Sequence, residues 1–180
     1  MSKKIVLISA GHTNKVGQDR GAAGNGFIEG VEALKLRDKT AEYLSQHENI
    51  EVWEDGQDGD NQPLSKALTL ARKANRPIEY HFNAGTPKAT GIEVLGKPNH
   101  REVCQKLAGA IQKATGLKLR GDKGFKADNS GQHHRLAFCE AGGVIVEVCF
   151  ISNKSDMEAY QKGFDAICKN VADVLAVTRF

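Results

Sequence analysis

The segment GGVIVEVCFISN, residues 142–153, decides the fold class. Seven of the eight residues from 144 to 151 are apolar. A continuous apolar run of this length predicts a strand buried on both faces, as in a parallel sheet that is covered by helices on each side. Glu147 lies in the middle of the run, and an ionised carboxylate among apolar side chains is unfavourable unless a partner stabilises it or its pKa shifts. The segment therefore predicts a central strand and indicates that Glu147 faces something other than the core.

Strands and helices alternate along the rest of the chain. Apolar runs predict strands at residues 4–9, 50–53, 77–84, 91–95, 135–139 and 144–151. Helical apolar spacing predicts helices at residues 29–47, 63–75, 99–115 and 155–177, the last beginning with the capping-box pattern of Ser155 and Glu158. Residues 117–134 are polar and irregular. This order predicts an α/β fold, a single domain with a twisted, mostly parallel mixed sheet of about six strands flanked by helices.

The composition excludes several classes of protein. The net charge of +3 and an aromatic content of 6% are too low to indicate a nucleic-acid partner. No apolar run approaches the roughly 18 residues that a membrane span needs. The run at residues 4–9 is short and leads into polar sequence without a cleavage site, so we expect a first strand and not a signal peptide. The four cysteines lack CxxC spacing, which favours reduced thiols in the core.

Several residues with metal-binding or catalytic side chains fall near predicted strand ends. His12 follows the first strand, while His81 and Glu147 lie in later strands, and the carboxyl ends of parallel strands meet at one edge of the sheet. Glu29 and Glu32 add carboxylates at the start of the first helix. Each residue alone has an ordinary explanation, such as a loop hydrogen bond or a helix-dipole contact. Two histidines and a glutamate together are a known catalytic zinc ligand set, so the combination predicts a metal centre.

Several segments, in order along the chain, resemble one enzyme family. Residues 9–36, SAGHTNKVGQDRGAAGNGFIEGVEALKL, resemble the start of zinc-dependent N-acetylmuramoyl-L-alanine amidases of the amidase-3 type, with a Gly-His, an Asp-x-Gly-Ala and a downstream Glu. The other matching segments are HFNAG at 81–85, GIEVL at 91–95, RGDKGF at 120–125 and VEVCFISNKSD at 146–156. The resemblance spans nearly the whole chain, and its specificity rests on the order and separation of these segments.

The resemblance implies a set of site residues. It makes His12, Glu29 and His81 the ligands of one zinc ion per chain and Glu147 the catalytic carboxylate. Glu32 lies about one helical turn after Glu29 and is a rival for its role, although the Gly-Asn-Gly-x-x-Glu run favours Glu29.

Other positions have more than one interpretation. Asn83 lies two residues after His81, so its side chain could orient the ligand or a substrate carbonyl, or it could simply hold the turn that follows. One of His133 and His134 could bind metal or stabilise an oxyanion, although a surface position for both is favoured. Arg20 and Gly30 stand where the family usually has proline and a better helix former, which leaves the shape of the loop open.

The resemblance also implies a function. We expect hydrolysis of the amide bond between N-acetylmuramic acid and L-alanine in the stem peptides of peptidoglycan, by a monomer whose residues 1–180 form the catalytic domain without a separate wall-binding domain. A zinc peptidase or deacetylase acting on another amide, or a non-hydrolytic wall-binding module, are the alternatives. The setting that we expect is an endolysin made in the cytoplasm without a signal peptide and released at phage or prophage lysis, or a domain trimmed from a secreted enzyme.

Overall fold

The structure is a computed structural model that describes residues 3–57, 59–129 and 136–180. Within these residues the strands are β1 (Lys4–Ala10), β2 (Ala23–Gly24), β3 (Phe27–Ile28), β4 (Ile50–Glu54), β5 (Arg76–Asn83), β6 (Glu93–Gly96), β7 (Phe125–Ala127) and β8 (Val144–Phe150). The α-helices are α1 (Glu29–Leu44), α2 (Leu64–Ala71), α3 (Arg101–Thr115), α4 (Ala137–Glu140) and α5 (Lys154–Val177), and a 3-10 turn at Pro98–His100 precedes α3.

Among the described residues, six strands form the main sheet, in the order β4-β1-β5-β8-β6-β7. Strands β4, β1, β5 and β8 are mutually parallel, while β6 runs antiparallel to β8. The predicted α/β class and the mostly parallel mixed sheet are therefore confirmed. Because β6 runs opposite to β8, its first residue, Glu93, lies toward the edge where β1, β5 and β8 end, and it pairs with Glu147.

The two faces of the sheet carry different cores. Even-numbered residues of the central strands, such as Val6, Tyr80 and Val146, belong to the larger apolar cluster, which helices α1, α3 and α5 cover. Odd-numbered residues, such as Leu7 and Ile145, belong to a smaller cluster that packs against α2 and α4. Alternation along each strand therefore places the odd-numbered polar residues of β1, β5 and β8 on the thinner, α2 and α4 side.

Three local predictions differ from the structure. The run at 135–139 was predicted as a strand, but Ala137–Glu140 is helical, and only Phe138 and Cys139 in the middle of that helix are buried, which is not the alternation of a strand. The short edge strand β7 lies within the segment predicted to be irregular. Helix α5 is capped by Asn153, whose side chain accepts from the Asp156 backbone, so the capping box at Ser155 is wrong.

The first predicted strand is confirmed as β1, whose Val6, Leu7 and Ile8 are completely buried. In the part of the chain that the structure describes, no helix combines the length and the apolar character that crossing a bilayer requires. All four cysteines are buried free thiols, as expected of core residues.

Candidate metal centre

His12, Glu29 and His81 converge at the carboxyl edge of the sheet. His12 follows β1 by two residues, Glu29 is the first residue of α1, and His81 lies near the end of β5. Each offers one nitrogen or oxygen atom, and these three atoms all lie within 4.8 Å of one another. His12 has a φ of 63°, a left-handed conformation that is uncommon for a residue other than glycine and that is often found at functional sites.

The geometry of the three groups suits a zinc ion. His12 Nε2 lies 3.4 Å from Glu29 Oε1, and His81 Nδ1 lies 3.0 Å from the same oxygen. Ligands about 2.1 Å from a tetrahedral ion are separated by about 3.4 Å, so these atoms are close to ligand spacing. Backbone N–H groups of Ala22 and Phe82 donate to the two oxygens of Glu29 and hold its carboxylate in place.

The second nitrogen of each imidazole faces another carboxylate. His12 Nδ1 lies 3.1 Å from Asp19 Oδ2, and His81 Nε2 lies 3.0 Å from Glu79 Oε1. The two carboxylates differ in environment, since the side chain of Asp19 is 81% exposed and that of Glu79 is 6% exposed. Histidine ligands of protein metals commonly donate their other N–H to a carboxylate, so both rings have the environment of such a ligand.

Charge within the cluster favours ionised forms. Burial alone would raise the pKa of Glu29, but hydrogen bonds with His12 and His81 outweigh it and hold that pKa far below its usual range. The hydrogen bond with Glu29 raises the pKa of His12. Burial opposes the charged form of His81, yet Glu29 and Glu79 raise its pKa well above the ordinary value. The cluster is therefore rich in negative charge that a cation would complement.

Glu147 lies beside this group, in the middle of β8. It pairs with His81 on β5 and with Glu93 on β6, so it shares their side of the sheet, while Val146 and Val148 face the larger core. Its Oε2 atom is buried and has no hydrogen-bond partner among the described residues. Burial is the main cause that raises the pKa of Glu147 to about 7, with His81 acting in the opposite direction and Glu29 and Glu93 adding to the rise.

Comparison with known families decides the class of the protein. The family model for N-acetylmuramoyl-L-alanine amidase, Amidase_3, matches residues 6–176. The chain belongs to the N-acetylmuramoyl-L-alanine amidase family. This confirms the family that the sequence resembles, and with it the predicted enzyme class and the hydrolysis of the amide between N-acetylmuramic acid and L-alanine in peptidoglycan.

One solved structure supports the family assignment, and two others of lower identity share the fold. A candidate N-acetylmuramoyl-L-alanine amidase from Neisseria meningitidis is 41% identical with a TM-score of 0.87, and the match covers 96% of this chain and 94% of that one. The catalytic domain of the amidase CwlV from Bacillus (Paenibacillus) polymyxa var. colistinus is 24% identical with a TM-score of 0.79, with 95% of each chain covered. The catalytic domain of the CD27L endolysin is 21% identical with a TM-score of 0.71, and the match covers 98% of this chain and 99% of that one. No curated protein matches the chain.

The structure shows which of the two candidate glutamates, Glu29 or Glu32, lies with the histidines. Glu29 faces both histidines, whereas Glu32 pairs with Lys35 at 2.7 Å and accepts from the Tyr160 hydroxyl at 3.0 Å. The Glu32 carboxylate is therefore held between α1 and α5, and it is not one of the three grouped residues.

The remaining predicted residues have different surroundings. The Asn83 side chain donates to Glu93 and accepts from the Ala84 backbone, so it joins β5 to β6 and makes no hydrogen bond to His81. His133 and His134 lie outside the described residues. Gly30 packs so closely on the Thr13 carbonyl that a methyl group would overlap it, which explains glycine at a position where better helix formers are usual.

Sequence reasoning missed several buried polar residues that lie near the site. Glu79 lies two residues before His81 on the same strand, so a strand's two-residue period could have identified it. Glu93 is buried within the matched segment GIEVL, where it accepts from Arg120 and Lys126 at 2.8 and 2.7 Å. Ser9 contacts Glu79 because β1 pairs with β5, and it contacts Asp55 because β1 also pairs with β4. No local pattern indicates either contact.

A cavity of about 590 Å³ adjoins the grouped residues on the α2 and α4 side. Its polar wall includes His12, Asp19, Asp55, Glu79 and His81, and its apolar wall includes Pro63, Leu64, Ala67, Leu136, Phe138 and Ile145. This size is typical of sites that hold small molecules. The amidase centre is therefore next to space that can receive part of a substrate.

Proposed function

We propose that the chain hydrolyses the amide between N-acetylmuramic acid and L-alanine with one zinc ion bound by His12, Glu29 and His81, and with Glu147 as the acid and base. The convergence of these donors beside a buried, unpartnered carboxylate oxygen of Glu147 is the observation that carries the proposal. Two neutral imidazoles and a carboxylate suit zinc and leave a net positive charge on the centre. When bound, zinc supplies a Lewis acid that acidifies water and polarises a carbonyl.

The protein's own groups do the rest of the chemistry. Glu147 accepts the proton released as water attacks the scissile carbonyl, and it later donates that proton to the leaving nitrogen of L-alanine. An unpartnered oxygen, Oε2, is available for this contact. Backbone donors fix Glu29, so the ligand set does not depend on a flexible side chain. The cavity beside His12 and His81 provides room for a sugar or peptide residue next to the scissile amide.

Matched variants on helix α1 and strand β8 test this assignment. Glu147→Gln should retain about one zinc per chain while its turnover on purified peptidoglycan falls by roughly 10²–10⁴-fold, the usual contribution of a general acid or base. Glu29→Gln should lose zinc, whereas the control Glu32→Gln, which alters a glutamate on the same helix, should retain zinc and activity. Full activity in Glu147→Gln, or equal zinc loss in both α1 variants, would contradict the assignment.

The products identify the bond that is cut. Mass spectrometry of digested peptidoglycan should show free stem peptides that begin with L-alanine. Shortened peptides still attached to muramic acid would indicate a peptidase, deacetylated sugars would indicate a deacetylase, and binding without turnover would indicate a wall-binding module.

The predicted setting and the monomeric state stay predictions. An endolysin-like role predicts that the protein lyses cells when it is given access to the wall from the cytoplasmic side, which co-expression with a membrane-permeabilising protein would measure. Sedimentation at micromolar concentration would measure the oligomeric state.

A further inference from the structure

The two ring nitrogens of His81 face different carboxylates. Nδ1 points toward Glu29 and therefore toward the other proposed ligands, while Nε2 lies 3.0 Å from Glu79 Oε1 on the opposite side of the ring. A neutral imidazole has one N–H and one lone pair, so the partner of one nitrogen decides which nitrogen can bind a metal.

We propose that Glu79 is a positioning residue that accepts the Nε2–H of His81 and so keeps the lone pair of Nδ1 directed at the metal. The inference rests on the proposed zinc site and concerns a residue outside it. A carboxylate acceptor fixes both the tautomer and the rotation of the ring and makes the imidazole a stronger ligand. Nothing in the proposed reaction requires Glu79 to touch substrate or metal.

Neighbouring groups hold Glu79 in this position. Its second oxygen, Oε2, lies 3.0 Å from the Ser9 hydroxyl, and that hydroxyl lies 2.6 Å from Asp55 Oδ2. Ser9, Asp55 and Glu79 are all at least 96% buried. One hydroxyl proton cannot serve both carboxylates, so one contact needs a proton on a carboxyl group. Burial raises the pKa of Asp55, against the lowering effects of the Ser9 hydrogen bond and of Arg37. The contacts of Glu79 with Ser9 and with His81 fix the position of its carboxylate.

The surroundings of Glu79 argue against a purely structural role. Its side of the sheet carries Ser9 and His81 next to apolar residues such as Leu7 and Ile145 of the smaller core cluster. A buried carboxylate there is unfavourable compared with an apolar side chain unless its charge is used. Asp19 makes the equivalent contact to His12 from an exposed position, where water weakens it. We therefore expect the contribution of Glu79 to metal binding to exceed that of Asp19.

Zinc affinity, measured by competition with a chelator of known affinity, tests the inference without using activity. Relative to the unaltered chain, Glu79→Ala should bind zinc roughly 100-fold more weakly, and Glu79→Gln, which keeps an acceptor oxygen but loses the charge, roughly 10-fold more weakly. Glu93→Gln is the matched control, because it removes a comparably buried carboxylate that contacts none of the ligands; its zinc affinity should stay within about threefold. If Glu79→Ala does not fold, the zinc affinity of Glu79→Gln alone tests the inference.

Nitrogen-15 NMR of the zinc-loaded protein provides a second readout. The His81 ring of the unaltered chain should show a protonated Nε2 and a metal-bound Nδ1, and the Nε2–H should exchange faster with water in Glu79→Ala, which lacks the carboxylate acceptor. Unchanged zinc affinity in both Glu79 variants, an equal loss in Glu93→Gln, or a metal-bound Nε2 would overturn the inference. Zinc binding that survives His81→Ala and Glu29→Gln would instead refute the proposed site itself, so the two failures are distinguishable.

Discussion

Replacing Glu147 with glutamine should stabilise the zinc-free protein, and the gain should grow with pH. Burial raises the pKa of Glu147 from its ordinary 4.5 to about 7. Between these values the folded chain holds a proton that the unfolded chain has lost, so the free energy of unfolding falls as pH rises. A pKa shift of about 2.5 units, at about 1.4 kcal/mol per unit, predicts that Glu147→Gln raises the free energy of unfolding by at most about 3 kcal/mol at pH 8 and by about 1 kcal/mol at pH 5.

Urea unfolding of both proteins in excess chelator, at several pH values from 5 to 8, measures this difference. The cost of burying the glutamine amide does not depend on pH. The way in which the difference in unfolding free energy between the two proteins varies with pH therefore reports the ionisation of the Glu147 carboxylate. Saturating zinc should reduce the gain at pH 8, because a nearby dication favours the ionised carboxylate. A difference that stays constant within about 0.5 kcal/mol across this range in chelator would refute the reasoning that burial dominates the environment of Glu147.

Three further substitutions test the packing and charge around the site. Gly11→Ala should weaken zinc binding by about tenfold or more in a chelator titration, because the new methyl group overlaps the His81 ring. Gly30→Ala should lower the urea midpoint despite alanine's higher helix propensity, since its methyl group overlaps the Thr13 carbonyl; a higher midpoint would contradict this packing. Burial alone would raise the pKa of Glu93, but Lys126 and Arg120 lower it below its ordinary value of 4.5. The ionised carboxylate therefore stabilises the folded chain above pH 4.5, and this stabilisation is lost as the pH falls through the pKa of Glu93 in the folded state. Glu93→Gln should therefore cost about 1–3 kcal/mol at pH 7 and make the acid side of the stability curve shallower.

The elements predicted correctly are those whose burial is regular over many residues. The runs that became β1 and β8 are mostly apolar because both faces of these strands are covered, and α1 and α3 carry apolar stripes. The run at 135–139 is too short for periodicity to distinguish a strand from a helix. The three residues of β7 form a strand because the edge of β6 is available to them, which is a tertiary effect.

The candidate site shows the same division between local and tertiary information. Strand ends and family resemblance indicate His12, Glu29 and His81, and the structure groups these three residues. The surroundings of Glu147 were less accessible to sequence reasoning, because Glu93 lies opposite it only if β6 runs antiparallel, and nothing local fixes that direction. Likewise, the Ser9 and Glu79 contact follows from the register of β1 with β5.

The wide spacing of the three grouped residues has a consequence for how the chain resists degradation. Positions 12 and 29 are 17 residues apart, and positions 29 and 81 are 52 residues apart. A bound ion would tie the first strand, the first helix and a central strand together as a removable cross-link, and ligand binding to the folded state opposes both local and global opening. Chelation would then expose the segment between β1 and α1 to proteases, so the chain would keep its resistance to cleavage only while it holds its metal.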